Sequence, residues 1–164
     1  MDVACGGGRH SRLFAERGHP VLAMDRDISQ LGEVAGLDGV TGVEADLEYI
    51  APFEAAGQNF SAAVVTNYRS ENLVRVLAGA LLPGGVLIYE TFAQGNERFG
   101  SPRSPDFLLK PDELLHQCLA AELTVIAYEF GDVEVPKPAT RQRICAVKMS
   151  DGDHPMLPGY QDPA

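Results

Sequence analysis

Asp2-Val3-Ala4-Cys5-Gly6-Gly7-Gly8 opens the chain, and its reading decides the fold. A short apolar run behind an acidic residue leads into three successive glycines. Glycine tolerates positive φ and lets a backbone pass close to a neighbour or a ligand. The stretch therefore reads as a strand end, a tight turn and the entry to a helix. Arg9 to Arg17 supplies that helix, with Leu13, Phe14 and Arg17 at helical spacing. Gly18 stands where a helix favours its C-terminal glycine.

Outward from this unit, strand and helix patterns alternate. Val21-Leu22-Ala23-Met24 is an apolar run of strand length, suited to a strand buried on both faces, and it stops abruptly at Asp25-Arg26-Asp27. A helix is expected around Ser29 to Ala35, a strand over Val40 to Ala45, a loop through Pro52 and a strand over Phe60 to Thr66. Residues 71 to 82 carry Leu73, Val76, Leu77, Ala80 and Leu81 on one helical face, Pro83-Gly84-Gly85 breaks that helix, and Val86 to Tyr89 resumes as strand. Ala93 to Lys110 holds Gly95, Gly100, Pro102 and Pro105, which predicts an irregular functional loop or lid. Pro111 suits the first position of a further helix. Leu123 to Tyr128 and Ile144 to Met149 are strand-like with no helical pattern between them, so they are expected to pair antiparallel. The fold class that follows is α/β: a Rossmann-like, doubly wound, mostly parallel sheet with a C-terminal antiparallel strand pair. Residues 1–149 form one domain, and the polar, Pro-rich tail 150–164 is expected to be disordered.

Composition narrows the class of partner. The chain has 164 residues, 45% hydrophobic and 22% charged, which is ordinary for one water-soluble globular unit. No apolar run approaches the roughly 18 residues that cross a bilayer, and Asp2, Arg9, His10, Arg12 and Glu16 stand where a signal peptide needs an apolar core. The expectation is a cytoplasmic protein without membrane contact. Cys5, Cys118 and Cys145 are odd in number and widely spaced, which argues for free thiols over a disulfide framework or a zinc site. His19, His116 and His154 are isolated, and no metal is expected. A formal net charge of −10 repels a phosphate backbone, which points to a small-molecule partner and away from nucleic acid.

Ligands of open α/β sheets bind beyond the carboxyl ends of the strands. Those ends collect Gly6 to Gly8, Asp25, Asp46-Leu47, Asn67-Tyr68 and Glu90-Thr91. Taken singly, Asp2, Asp25 and Asp46 read as solvated strand-end residues or helix caps, but their joint spacing favours one shared crevice. A nicotinamide-dinucleotide domain is the nearest rival, since it shares the turn and the acidic residue about 20 positions later. Here Ser11 occupies the place of the third glycine of G-x-G-x-x-G.

The acidic residue and Gly-rich turn of 2–8, Asp25 after the second strand, Ala45-Asp46-Leu47 after the third and Leu82-Pro83-Gly84-Gly85 before the fifth resemble the class I S-adenosylmethionine (SAM)-dependent methyltransferases. The likeness is to the small bacterial branch that includes tellurite-resistance-type enzymes. It implies SAM as cofactor and a small-molecule methyl acceptor. By that resemblance the turn Ala4, Cys5, Gly6, Gly7 and Gly8 follows the methionine portion, with Gly6 and Gly8 allowing close approach and Asp2 orienting the turn or the SAM amino group. Asp25 accepts from the ribose hydroxyls, Asp46 takes the adenine amino group, the Leu47 amide faces the ring, and Asn67 and Tyr68 lie near the sulfonium. Met24, Arg26 and Leu47 are expected to flank the adenine, and Tyr68, Glu90, Arg98 and Phe99 to shape the acceptor pocket.

Methyl transfer is an in-line displacement in which the cofactor carries the hard chemistry and the protein aligns it. A base is needed only where the acceptor must lose a proton, and His10 and Glu90 are the candidates; a thiol or chalcogen anion needs neither. The resemblance departs at the start, where only Met1 precedes Asp2 although the family's first strand begins earlier and follows a helix. A central strand of about four residues, lowered stability and a leaky SAM pocket are then expected, with either missing native sequence or a second chain, as in a homodimer, completing the edge. Two alternatives stay open beside the enzyme: a non-catalytic SAM-sensing or interaction domain, and a fold that binds neither cofactor.

Overall fold

Apolar runs flanked by glycine turns place a seven-stranded sheet at the centre of the chain. The computed structural model describes residues 1–49, 51–57, 60–150 and 152. The strands are β1 (Asp2–Val3), β2 (Val21–Asp25), β3 (Val40–Glu44), β4 (Phe60–Thr66), β5 (Leu81–Phe92), β6 (Thr124–Val133) and β7 (Ala139–Val147). Their order is β3-β2-β1-β4-β5-β7-β6. The first five run parallel, while β7 pairs antiparallel with both β5 and β6. Among the described residues the α-helices are α1 (Arg9–Ala15), α2 (Ala51–Ala56), α3 (Leu73–Ala80) and α4 (Glu113–Ala120). The expected mostly parallel, doubly wound sheet with a terminal antiparallel pair is the observed architecture.

Side chains alternate across the pleat, so neighbouring residues of one strand serve different faces. On β2, Ala23 packs with Leu31 and Val34, whereas Met24 joins the larger core of Leu73, Leu77, Leu87, Tyr89 and Leu114. Leu73, Leu77, Leu87 and Leu114 are almost fully buried, and each such side chain stabilises the fold by about 1.5–3 kcal/mol. The parallel order reverses at β1, which leaves β2 on one side and β4 on the other. In open α/β sheets such a reversal is where a ligand crevice is expected, beyond the carboxyl end of the strand at which the order turns.

Several element boundaries differ from the sequence reading. Ile28–Gly36 is a 3-10 segment and not an α-helix, broken at Gly32 (φ 52°, ψ −123°). Asp27 explains it: its carboxylate accepts from the Ser29 hydroxyl and from the Gln30 side-chain amide at 3.0 Å, a local arrangement that competes with helical bonding. α3 is shorter than 71–82, because Leu81 is already extended and begins β5. Pro83-Gly84-Gly85 is thus an irregularity within the start of a strand, where Gly84 (φ 79°) donates to the Lys148 carbonyl at 2.6 Å. Pro111 does not open α4; the helix starts at Glu113, after Asp112 in the left-handed region. β6 runs on past Tyr128 to Val133, and β7 begins at Ala139 and ends at Val147, short of Met149; alternation of Arg141, Gln142, Arg143 and Ile144 suits a strand with one face buried. β1 has two residues where four were expected, and the Met1 amino group donates to the Ala62 carbonyl at 2.7 Å. Among the described residues no helix is long and apolar enough to cross a membrane. Of the expected disordered tail 150–164, residues 151 and 153–164 lie outside the described residues.

Candidate active site

The Gly-rich turn is held by a bond to β2 and by one within itself. Cys5 N–H donates to the Met24 carbonyl at 3.1 Å and Gly8 N–H to the Cys5 carbonyl at 2.9 Å. Ala4, Gly6 and Gly8 all take left-handed φ (55°, 49° and 71°). The three glycines meet different demands. A Cβ on Gly6 would project into open space with nothing within 4 Å, whereas on Gly8 it would lie 2.6 Å from Leu31 Cδ2 and 2.9 Å from Val34 Cγ1. Gly6 therefore borders open space, whereas Gly8 admits the 28–36 segment. Gly7 is nearly unconstrained, its nearest neighbour being the Gln30 carbonyl at 3.9 Å.

Asp2 is buried and points into the protein. Its Oδ2 accepts from Ser11 N–H at 2.9 Å and from Ser11 Oγ at 2.7 Å, tying the first turn of α1 to β1. Burial, followed by the negative charges of Asp2 and Asp25, pushes the Cys5 thiol up to about 12. His10 lies with Nδ1 3.9 Å from Asp2 Oδ1, and Arg9 Nη2 is 3.2 Å from His10 Nε2. A guanidinium can only donate, so this contact assigns Nε2 as acceptor.

Asp25, half-buried at the end of β2, accepts from Gly6 N–H at 2.9 Å through Oδ2 and from Asp27 N–H at 3.1 Å through Oδ1. A carboxylate has about four acceptor positions, so each oxygen retains one for a ligand hydroxyl. Asp46 is exposed beyond β3, its Oδ1 accepting from Glu48 N–H at 3.1 Å. Arg26 is exposed, whereas Leu47 is buried and Met24 is fully buried in the core.

A cavity of about 440 Å³ lies beside the ends of β4 and β5, lined by Glu48, Asn67, Tyr68, Phe92, Ser101 and Phe107 among others. Asn67 has φ 57°, donates its N–H to the Glu90 carbonyl at 2.9 Å, and accepts from Arg141 Nη1 at 2.8 Å. The Tyr68 hydroxyl donates to Glu48 Oε1 at 2.5 Å. Tyr89 is fully buried, and its hydroxyl donates to the Tyr68 carbonyl at 3.0 Å. Glu90 and His10 do not line this cavity. Glu90 is instead flanked by Arg141 Nη1 at 2.7 Å and Arg143 Nε at 2.8 Å. The Arg141 guanidinium also stacks on Phe92, 4.2 Å from the ring centroid.

The 93–110 loop forms one wall and is anchored at several points. Asn96, buried, donates to the Pro102 carbonyl at 3.0 Å and accepts from Thr140 N–H at 3.2 Å. Arg69 holds the Asp106 carbonyl at 3.0 Å and Glu113 Oε1 at 2.8 Å. Arg98 and Phe99 do not line the cavity as expected. Arg98 pairs with Asp132 at 2.8 Å on the β6–β7 side and lies over Phe99. Glu48, Arg69, Phe92 and Arg141 escaped the sequence reading. Glu48 follows Asp46 by two residues and was open to recognition there, whereas Arg141 is placed by long-range antiparallel register. A larger apolar cavity of about 710 Å³ is lined by Met1, Leu22, Val43, Phe60 and others, with no carboxylate or guanidinium in its lining.

This sheet order, with β7 inserted antiparallel between β5 and β6, is that of the class I SAM-dependent methyltransferase fold. It departs from the 3-2-1-4-5-6 order of dinucleotide-binding domains. Among solved structures, the chain is similar to a SAM-dependent methyltransferase from Methanosarcina mazei, with TM-score 0.70 and 15% identity over 90% of this chain and 91% of that one. It is similar to TehB from Haemophilus influenzae, with TM-score 0.69 and 16% identity over 90% of this chain and 57% of TehB. It is also similar to the 16S rRNA (adenine(1408)-N(1))-methyltransferase of Catenulisporales acidiphilia (W203A mutant), with TM-score 0.64 and 16% identity over 91% and 83% of the two chains. No family model matches the chain, and no curated protein matches it.

Proposed function

We propose that this protein is a methyltransferase that binds SAM in the crevice above β1 and transfers the methyl group to a small-molecule acceptor. The observation that carries the reading is the pairing of Gly6 with Asp25. The turn presents an open face at Gly6, and its N–H fixes a carboxylate that keeps an acceptor position on each oxygen. A methionine backbone fits along the first, and a ribose diol fits the second.

SAM, when bound, supplies a methyl group activated by its sulfonium for in-line displacement. The chain's part is to bind and align. Ala4, Cys5, Gly6, Gly7 and Gly8 follow the methionine portion, with Asp2 acting through Ser11. Asp25 takes the ribose hydroxyls, Asp46 the adenine amino group, Leu47 offers its backbone amide, and Arg26 flanks the ring. Asn67, steadied by Arg141, stands at the border between cofactor and acceptor. Alignment of this kind is worth about 7–11 kcal/mol, against a factor of ~10²–10⁴ for a general base. His10 and Glu90 then shape the electrostatics beside the turn and the acceptor wall.

Two observations support a small acceptor: the cavity's volume of about 440 Å³ behind an anchored loop, and the net charge of −10, which disfavours a nucleic-acid backbone. The test is incubation with methyl-labelled SAM and a panel of small acceptors, following S-adenosylhomocysteine (SAH) release. Acceptor-dependent SAH is expected. SAH binding without turnover on any acceptor would favour the non-catalytic SAM-binding alternative.

A further inference from the structure

The sequence points to Glu90 and His10 as bases, yet neither reaches the cavity, and Glu90 is occupied by two arginines. The carboxylate that lines the cavity is Glu48. Among the described residues it forms no ion pair, and its Oε1 accepts the Tyr68 hydroxyl across a separation of 20 residues. Glu48 is exposed, and Tyr68 is half-buried.

The geometry points to a two-residue proton path in which Tyr68 receives the acceptor's proton while passing its own to Glu48, so that the acceptor is a protic oxygen or nitrogen nucleophile and not a chalcogen anion. This rests on the methyl-transfer reading above. The acceptor's lone pair forms the new bond to the methyl carbon, the carbon–sulfur bond breaks with its electron pair going to sulfur, and SAH leaves. The acceptor's X–H proton goes to Tyr68 Oη as the Tyr68 proton goes to Glu48 Oε1. No oxidant or further reactant enters. Tyr68 stays a phenol throughout the physiological range: burial, then the hydrogen bond to Glu48 and the charges of Glu48 and Asp46, hold its ionisation well above the usual range, with Arg26 opposing weakly. It is therefore a carrier and not a phenolate base. Apolar walls from Phe92, Pro102 and Phe107 suit an acceptor whose protic atom sits on a ring-sized body.

The test has one arm without turnover and one with it. Ultraviolet titration of tyrosine ionisation, assigned to Tyr68 by difference against Tyr68→Phe, should move to lower pH in Glu48→Gln. An unmoved titration overturns the proposed contact. In the second arm, wild type, Glu48→Gln, Tyr68→Phe and the double variant are given labelled SAM with simple phenols, nitrogen heterocycles and thiols. The expected result is turnover of protic acceptors, a loss of ~10²–10⁴ in kcat in each single variant, and a double variant no worse than either single one. An acid-side limb in the pH profile should vanish in Glu48→Gln. SAH affinity by calorimetry should stay within about threefold of wild type. Turnover of thiols alone, turnover undiminished in Glu48→Gln, or SAH binding with no turnover of any acceptor overturns the proton path while leaving the cofactor site standing. Loss of SAH binding by the wild-type protein is a failure of the methyltransferase reading itself.

Discussion

A methyl group added at Gly8 would meet Leu31 Cδ2 at 2.6 Å, whereas one added at Gly6 meets nothing within 4 Å. Both residues have positive φ, which costs an L-residue about 1–2 kcal/mol, so the two alanine variants separate packing from binding. Gly8→Ala should lose stability by that strain plus about 1–3 kcal/mol of overpacking. Gly6→Ala should lose only the strain yet abolish SAH binding; urea unfolding and calorimetry on both variants check this. Asp2→Ala should destabilise by about 1–3 kcal/mol, because Ser11 N–H and Oγ lose a buried acceptor. Burial also sets a pH dependence. Cys5 and Cys118 are each pushed from 9.0 up to about 12. Between these values the native protein retains protons that the unfolded chain has released, so stability should fall as pH rises above about 9, and denaturant midpoints across the alkaline range will show it. The same burial predicts that neither thiol is alkylated in the native state at neutral pH.

The elements that local pattern determines were legible, and those that depend on distant partners were not. Val21–Met24 declares itself as a strand by its own composition, and the glycines of 6–8 by theirs. The 28–36 segment deceived because Asp27 bonds to Ser29 and Gln30 and diverts the chain from α-helix. β7 was recognised over its apolar half only, since Arg141 and Gln142 look polar until Glu90, Asn67 and the backbone of Lys110 and Leu114 are brought to them. The proposed site divides in the same way: its residues at the ends of β1, β2 and β3 come from local spacing, while the cavity beside β4 and β5 is lined by segments that touch only in three dimensions. The 93–110 loop belongs to this second group. Its anchors predict a preformed wall, and Arg69→Ala, which frees Asp106 and Glu113, should raise amide exchange and proteolysis across 93–110 while leaving SAH affinity near wild type.

At the scale of the molecule, the sheet reverses its order at β1, with β2 and β3 on one side and β4 and β5 on the other. The charge of −10 and the arginines beside Glu90 are compatible with this arrangement: the surface is acidic as a whole, while Arg141 and Arg143 are confined to one edge of the site. Saturation with SAH at 100 times its dissociation constant should stabilise the fold by about 2.7 kcal/mol, readable as a rise in Tm. The most direct test of the central claim is calorimetric titration of the folded protein with SAH, beside NADH as control and Asp25→Ala as variant. Saturable SAH binding that Asp25→Ala abolishes, with no heat from NADH, is the predicted result. Silence toward SAH from a protein folded by circular dichroism, or saturable binding of NADH in its place, would contradict it.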